Sequence, residues 1–332
     1  MSGGIDSSVA AYILKKKGYE VIGATLQMTD IKDTDAKKVC EYIGIQHISI
    51  DKRKEFKKEI INYFLNEYKK GKTPNPCTLC NRKIKFETLV QKADKLNCDY
   101  IATGHYARVT KKGSRYILRK GKDKTKDQSY MLYNLTQNQL SRCIFPLGNI
   151  TKKKIRNIAK YLNLEIADKK DSQEICFIPD NDYGCYIKNN SPEEFKDGDI
   201  VDKEGNILGK HNGIFNYTIG QRKGIKISSK NPLYVIDIDV KGNRIIVGSE
   251  NEIYRNKLIA TNINWIGIDE LKNEMDVKAK IRYGGEESKC KISNIEDERV
   301  LVEFKQKQRA ITSGQSVVFY KRDIVLGGGI IL

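Results

Sequence analysis

The sequence predicts an α/β protein: a doubly wound parallel sheet in the amino-terminal half, then a small β-rich central domain and a carboxy-terminal β-barrel. Three observations predict it. A glycine and serine loop, Ser2 to Ser8, runs straight into an apolar-patterned helix. Short apolar strands then alternate with amphipathic helices from Gly18 to about Tyr106. After about Asn189 the pattern changes to short alternating strands punctuated by glycine turns, among them Asp197-Gly198 and Lys241-Gly242-Asn243.

In chain order, Val9 to Lys17 reads as a helix, Glu20 to Met28 as a strand, Asp33 to Tyr42 as a helix stopped by Gly44, and Gln46 to Ile50 as a strand. Glu55 to Lys69 reads as a long helix, Thr73 to Asn81 as a polar Pro-rich loop, Lys83 to Leu96 as a helix and Asp99 to Thr103 as a strand. Ile155, Ile158, Ala159 and Leu162 mark a helix within Thr151 to Leu164, with a loop at Ala167 to Pro179. Leu233 to Asp239 and Arg244 to Gly248 form a hairpin; strands near Val277 to Tyr283, Lys289 to Ile292, Val300 to Phe304 and Val317 to Tyr320 suggest a small closed barrel. In doubly wound sheets the loop after a strand carries the ligand. No strand precedes Ser2, so the first strand is missing from the pattern: either the true start lies upstream of Met1, which is the expectation, or the sheet has lost a central hydrogen-bonding partner.

A length of 332 residues suits two or three domains. The apolar runs are too short to span a bilayer and no signal sequence opens the chain, so the expectation is a cytoplasmic protein with no membrane partner. Eight cysteines at this size read as mostly reduced thiols. Sixty Lys and Arg against 42 Asp and Glu leave a formal charge of +18, which makes nucleic acid the first partner to test. Runs such as Lys152-Lys153-Lys154 read as solvated helix faces.

Gly3 and Gly4 lack Cβ atoms, so the backbone can fold close around an anion; Ser2, Ser7 and Ser8 add hydroxyls and the helix start adds free amides. The loop therefore suits a pyrophosphate, the alternative being a Gly/Ser turn with an N-cap. Asp6 would cap the helix or help hold Mg2+. Thr73-Pro-Asn-Pro-Cys77-Thr-Leu-Cys80-Asn81 sets two thiols three apart before a basic helix, where Arg82 and Lys83 would favour thiolate. A reactive or cluster-ligating pair, a zinc half-site and an inert buried pair all remain open. Cys176, between Ile175 and Phe177, reads alone as a core cysteine, as do Cys40, Cys98, Cys143, Cys185 and Cys290. Thr103-Gly104-His105-Tyr106 ends a strand in a glycine turn suited to nucleotide or substrate contact.

Seven segments in fixed order, Ser2-Gly-Gly-Ile-Asp-Ser-Ser, Thr73-Pro-Asn-Pro-x-x-x-Cys80-Asn, Ala102-Thr-Gly-His-Tyr, Lys126-Asp-Gln-Ser-Tyr, Asp171-Ser-x-x-x-Cys176-Phe-Ile, Gly220-Gln-Arg-Lys-Gly and Leu326-Gly-Gly-Gly-Ile-Ile, resemble the tRNA-specific 2-thiouridylase family across residues 1–332. The resemblance implies an ATP-pyrophosphatase domain at 1–187, a central tRNA-binding or linker domain at 188–255 and a barrel at 256–332. It implies that ATP, with Mg2+, adenylates the C2 oxygen of a wobble uridine and that a cysteine persulfide then delivers sulfur. By resemblance Cys176 carries the persulfide and Cys80 completes a disulfide as sulfur leaves. Ser2, Gly3, Gly4, Ile5, Asp6, Ser7, Met28 and Gly104 match ATP positions. Asn75, Pro76, Cys77, His105, Lys126, Asp127, Gln128, Arg282, Tyr283 and Gln315 match tRNA positions, and Gly220 to Gly224 would be a basic hairpin on the anticodon arm.

Many members of that family carry aspartate at the position of Cys77, where a neutral thiol is a poorer base. The implied alternative is a [4Fe-4S] cluster held by Cys77, Cys80 and Cys176, one iron being left open for sulfide. The Thr29 to Asp35 connection is also shorter than the acidic insertion of some members. Implied partners are tRNAs for Lys, Glu and Gln and a cysteine desulfurase or sulfur-relay protein, the chain itself acting as a monomer. The competing readings are another ATP pyrophosphatase, such as a small-metabolite synthetase or tRNA lysidine synthetase, and a non-catalytic tRNA-binding protein with a truncated ATP site.

Overall fold

The computed structural model describes residues 1–30, 34–164, 175–178, 182–191 and 196–332. Gly4, extended at φ −94° and ψ 161°, turns the chain into helix α1 (Ile5–Lys16), whose apolar face of Val9, Ala10 and Leu14 is buried. Strand β1 (Ile22–Gln27), helix α2 (Thr34–Ile43) and strand β2 (Gln46–Asp51) make one crossover unit, with β1 and β2 parallel. Helix α3 spans residues 53–69 with a π-turn over Lys57–Ile61, and α4 spans 76–95 with a π-turn over Asn81–Phe86. Strand β3 (Ile101–Ala102) leads to the hairpin β4 (Ala107–Lys112) and β5 (Arg115–Lys120), then to helices α5 (Ser129–Leu132) and α6 (Gln137–Ser141). Strand β6 (Cys143–Ile144) returns parallel to β3, and α7 (Lys152–Tyr161) and α8 (Tyr183–Asn190) end this half.

Among the described residues the two parallel pairs, β1 with β2 and β3 with β6, are not laddered to each other. Met1 lies along β1: its amino group donates to the Ala24 carbonyl, and its own carbonyl accepts from Thr25 Oγ1 at 2.9 Å. Helices α1 and α7 pack together through Val9, Ile155 and Ala159, none of them exposed.

The central sheet runs β8-β7-β10-β9, with β7 (Gly198–Val201), β8 (Ile207–His211), β9 (Tyr234–Asp239) and β10 (Arg244–Gly248) around Ile200, Val235 and Ile245. The hairpin expected from its sequence is β9 with β10. Six antiparallel strands close the barrel: β11 (Tyr254–Trp265), β12 (Met275–Lys280), β13 (Ser288–Ile295), β14 (Arg299–Arg309), β15 (Ser316–Lys321) and β16 (Ile324–Ile331), in the order β11-β14-β13-β12-β15-β16 with β11 pairing back to β16.

Strand β15 lacks the usual inside-outside alternation, since residues 316–320 are all buried. The cause is a neighbour on each face: Val317 and Phe319 fill the barrel, while Val318 and Tyr320 join Leu118, Tyr130 and Tyr133 of the first domain. The hairpin β4–β5 also extends the barrel sheet, with Arg119 laddered to Ile324 and with Arg108 and Arg119 paired to Asp323 at 2.9 Å each. Nothing in the sequence pattern predicts this hairpin, because its strands are rich in Arg and Lys and their apolar partners lie some two hundred residues later.

A second difference concerns residues 73–81. The expected loop is helical from Pro76, where α4 starts, rather than from Lys83. Asn75 is its N-cap, the side chain accepting from the Cys77 amide at 3.3 Å, and proline at the first helical position has no amide to leave unpaired.

The seam admits no added bulk at Gly328, where a Cβ would stand 2.5 Å from the Val317 carbonyl oxygen and 2.8 Å from the Tyr133 ring. Gly328→Ala is expected to destabilise by about 1–3 kcal/mol through overpacking, seen as a lowered midpoint in scanning calorimetry; an unchanged midpoint would show that the seam can yield.

Candidate active site

The opening loop is built as an anion cradle. Ser2 Oγ and Ser7 Oγ stand 3.2 Å apart, the Ser2 amide donates to Ser7 Oγ, and Ser7 and Ser8 hydroxyls donate to the Gly4 carbonyl at 3.1 and 2.9 Å. Gly4 is the N-cap and offers no side chain, so the first-turn amides of α1 keep their positive end toward the loop. Gly3 sits at φ +68°, where glycine is favoured, and a Cβ there would meet that of Asp35 at 2.8 Å. Gly104 presses on the same loop: a Cβ would lie 2.8 Å from the Asp6 carbonyl carbon and the Ser7 nitrogen.

Asp6 does not cap the helix as expected. It is the second helical residue, and its carboxylate accepts from Lys152 Nζ at 2.8 Å on both oxygens and from the Tyr106 hydroxyl at 2.7 Å. Neither partner is legible locally, being 146 and 100 residues away.

The second group of residues is the thiol pocket. Cys80 is buried, 3.9 Å from the sulfur of Met28. Cys77 is half-buried and Cys176 is open to solvent. Phe177 pins the Cys176 turn by edge contacts with Phe56 and Phe64, at 5.6 and 5.4 Å between ring centres. Ile175, Phe177 and Ile178, which flank Cys176, pack in one apolar cluster with Cys80 and Met28, so the Cys176 turn lies against the helix that carries Cys77 and Cys80.

The cationic neighbours differ from expectation. Arg82 donates to Asn134 Oδ1 at 2.9 Å, and Lys83 pairs with Glu59 at 3.0 Å. The ammonium that acts on all three thiols is that of Lys85, also coupled to His105. Lys85 lies within the π-turn over Asn81–Phe86, the segment that follows Cys80 in α4. Nor are the thiols tuned downward. Burial outweighs Lys85, raising Cys77 and pushing Cys80 up to about 12; the protein packed on one side of the otherwise accessible Cys176 raises it as well. Beside Cys80, Asn81 Nδ2 donates to the Met131 carbonyl at 2.9 Å, while its buried Oδ1 has no partner among the described residues.

The residues matched to tRNA divide into two kinds. Arg282 is exposed and Tyr283 is 39 % exposed, with its ring 6.1 Å from Tyr130. Lys126 and Asn75 are half-buried. The others are already committed: Asp127 accepts from the Gly121 and Ser129 amides, Gln128 Oε1 from the Tyr106 amide, and Gln315 donates to the Thr73 carbonyl at 2.8 Å. Pro76 is buried. His105, between Phe86 and Phe145, bonds Thr103 at 2.7 Å and is held neutral, its burial lowering it to about 3, so it offers phosphate no charge. The motif Asp171-Ser172, most of the loop around it and the centre of the Thr29 to Asp35 connection lie outside the described residues.

A family profile described as tRNA methyl transferase HUP domain matches residues 1–180, one described as tRNA methyl transferase PRC-barrel domain matches 186–249, and one described as Aminomethyltransferase beta-barrel domain matches 255–331. The chain is 53% identical over 349 residues to tRNA-specific 2-thiouridylase MnmA 2 of Thermoanaerobacter sp. (strain X514), with 100% of this chain and 96% of that one covered. The chain belongs to the tRNA-specific 2-thiouridylase family. The corresponding MnmA 2 of Clostridium tetani (strain Massachusetts / E88) is 51% identical over 346 residues, covering 100% and 97%. A solved NMN synthetase from Francisella tularensis covers 52% of this chain and 63% of its own at 20% identity, with a TM-score of 0.33.

Within this 2-thiouridylase, no group of three or more His, Cys, Asp or Glu among the described residues is arranged to hold a metal ion. No helix among the described residues is long and apolar enough to cross a membrane.

A thiol pushed up to about 12 is almost wholly protonated at neutral pH, with about one part in ten thousand thiolate at pH 8. At pH 7.5 iodoacetamide should therefore modify exposed Cys176 and Cys185 well before Cys80, whose rate should climb about tenfold per pH unit up to pH 10. Peptide mass spectrometry reads this out, and Cys80 labelling as fast as Cys185 would contradict it.

Proposed function

We propose that this protein thiolates C2 of the wobble uridine in tRNA, using ATP to activate the base and a cysteine persulfide to supply sulfur. The observation that carries this reading is the packing of the Cys176 turn against the helix that carries Cys77 and Cys80, in the same domain as the glycine and serine cradle. An anion cradle alone fits any ATP pyrophosphatase, but two such thiols serve a sulfur transfer.

In the first step the uridine C2 oxygen attacks the α-phosphorus of ATP and pyrophosphate leaves, making a good leaving group of a poor one. Ser2 to Ser7 would hold the pyrophosphate, with Met28 and Gly104 toward the adenosine. Magnesium would arrive on the phosphates. In the second step the terminal sulfur of a Cys176 persulfide attacks C2 and AMP leaves. Cys80 thiolate then attacks Cys176 Sγ, the electron pair of the old sulfur–sulfur bond passes to the sulfur on C2, and a Cys80–Cys176 disulfide remains to be reduced. Lys85 would oppose the burial that keeps these thiols protonated, and an everted base would be needed for C2 to reach both groups.

Cys77 stands where a carboxylate base would serve the attacking thiol, and as a thiol it is a weaker base. The net +18, with Arg282 and Tyr283 exposed on the barrel, would supply phosphate and stacking contacts. A desulfurase or relay protein would load the exposed Cys176.

The test uses Cys80→Ser and Cys176→Ser with ATP, magnesium, a persulfide donor and unmodified tRNA. Each variant is expected to lose 2-thiouridine by at least about a hundredfold, measured by nucleoside mass spectrometry, while still releasing pyrophosphate in a tRNA-dependent manner. Variants that keep thiolating would refute the role of the thiols; wild-type protein that releases no pyrophosphate would refute the ATP step.

A further inference from the structure

Lys152 is an ammonium in an unfavourable place. It is 7 % exposed and opens α7 as its first residue, where the helix macrodipole repels a cation. Simple solvation of a surface lysine, the expectation from its sequence run, does not describe it. It meets Asp6 through both carboxylate oxygens at 2.8 Å, while Tyr106 donates to the same carboxylate at 2.7 Å and lies with its ring centre 5.9 Å from the ammonium. Its backbone amide donates to Asp123 Oδ2 at 2.9 Å, which fixes the start of α7.

Asp6 sits in the middle of the anion cradle, with a third of its side chain exposed. A bare carboxylate there would repel the pyrophosphate that the neighbouring amides attract. Paired with Lys152 it is neutralised, and it is held by three hydrogen bonds away from the first-turn amides.

Resting on the reading that Ser2 to Ser7 hold the pyrophosphate of ATP, we propose that Lys152 is a positioning residue of that site. Its ammonium neutralises and orients Asp6, so that the amide end of α1 meets the phosphates without a competing negative charge. Tyr106 shares the task by fixing one oxygen of the same carboxylate.

The experiment measures binding of α,β-methylene-ATP with magnesium by calorimetry in a double-mutant cycle of Lys152→Met and Asp6→Asn. Lys152→Met is expected to weaken binding at least about tenfold in the wild-type background, but less than about threefold once Asp6 is Asn, the signature of two residues coupled in one ion pair. Lys152→Arg should stay within about threefold of wild type. Equal losses in both backgrounds, or no loss in the first, would overturn the proposal, since a merely structural lysine would not act through Asp6. If Lys152→Met loses its helical circular dichroism, Lys152→Gln replaces it in the same cycle under the same criteria. Wild-type protein that fails to bind the analogue would instead overturn the reading of the cradle itself.

Discussion

Thr73 is the point on which the three domains converge, and the thiol pocket depends on it. Its amide donates to the Ser313 carbonyl at 2.9 Å, its carbonyl accepts from Gln315 at 2.8 Å, and its hydroxyl stands 3.3 Å from that of Thr218. Gly314 permits the approach, since a Cβ there would lie 3.1 Å from the Thr73 backbone. Two residues on, Asn75 caps α4 and Pro76 begins it, so the first turn of the helix that carries Cys77 and Cys80 is aimed by contacts to the barrel and the central domain. A binding partner that shifted either domain would therefore move the thiols, whereas the anion cradle is braced within the first domain by Asp6, Tyr106, Lys152 and Gly104.

That division suits a reaction with two halves. The loop of amides and hydroxyls is braced before anything binds, with its Asp6 carboxylate already paired to Lys152 and Tyr106. The sulfur side is buried, protonated and open only at Cys176. Burial protects Cys80 from adventitious oxidation and also makes it unreactive, so the thiolate is favoured only as Lys85 and the arriving substrate change the local field.

Much of the fold was legible because periodicity reports burial on one face. The α/β rhythm from β1 to β3, the β9–β10 hairpin and most barrel strands follow their apolar spacing. What escaped has physical reasons. The β4–β5 hairpin is covered by distant partners and so reads as polar. Strand β15 is expected near Val317 to Tyr320, but the burial of both its faces is not legible, because the second face is covered by the first domain, far off in sequence. The start of α4 at Pro76 was hidden in what reads as a turn-rich loop. In the site, the Ser2 to Ser8 loop, Cys80 and Cys176 stand out in the motif order, whereas Lys85 has no motif signal, and the π-turn that contains it does not show in the apolar spacing. Asp6 reads locally as a cap or metal ligand because its partner lies 146 residues on.

The central claim is that Cys80 and Cys176 exchange partners as sulfur leaves for the base. The most direct measurement is a single turnover with protein preloaded as the Cys176 persulfide, ATP, magnesium and unmodified tRNA, quenched in acid and followed by both nucleoside and peptide mass spectrometry. The account predicts 2-thiouridine and a Cys80–Cys176 disulfide in equal amounts and with the same time course. Thiouridine formed without that disulfide would contradict it.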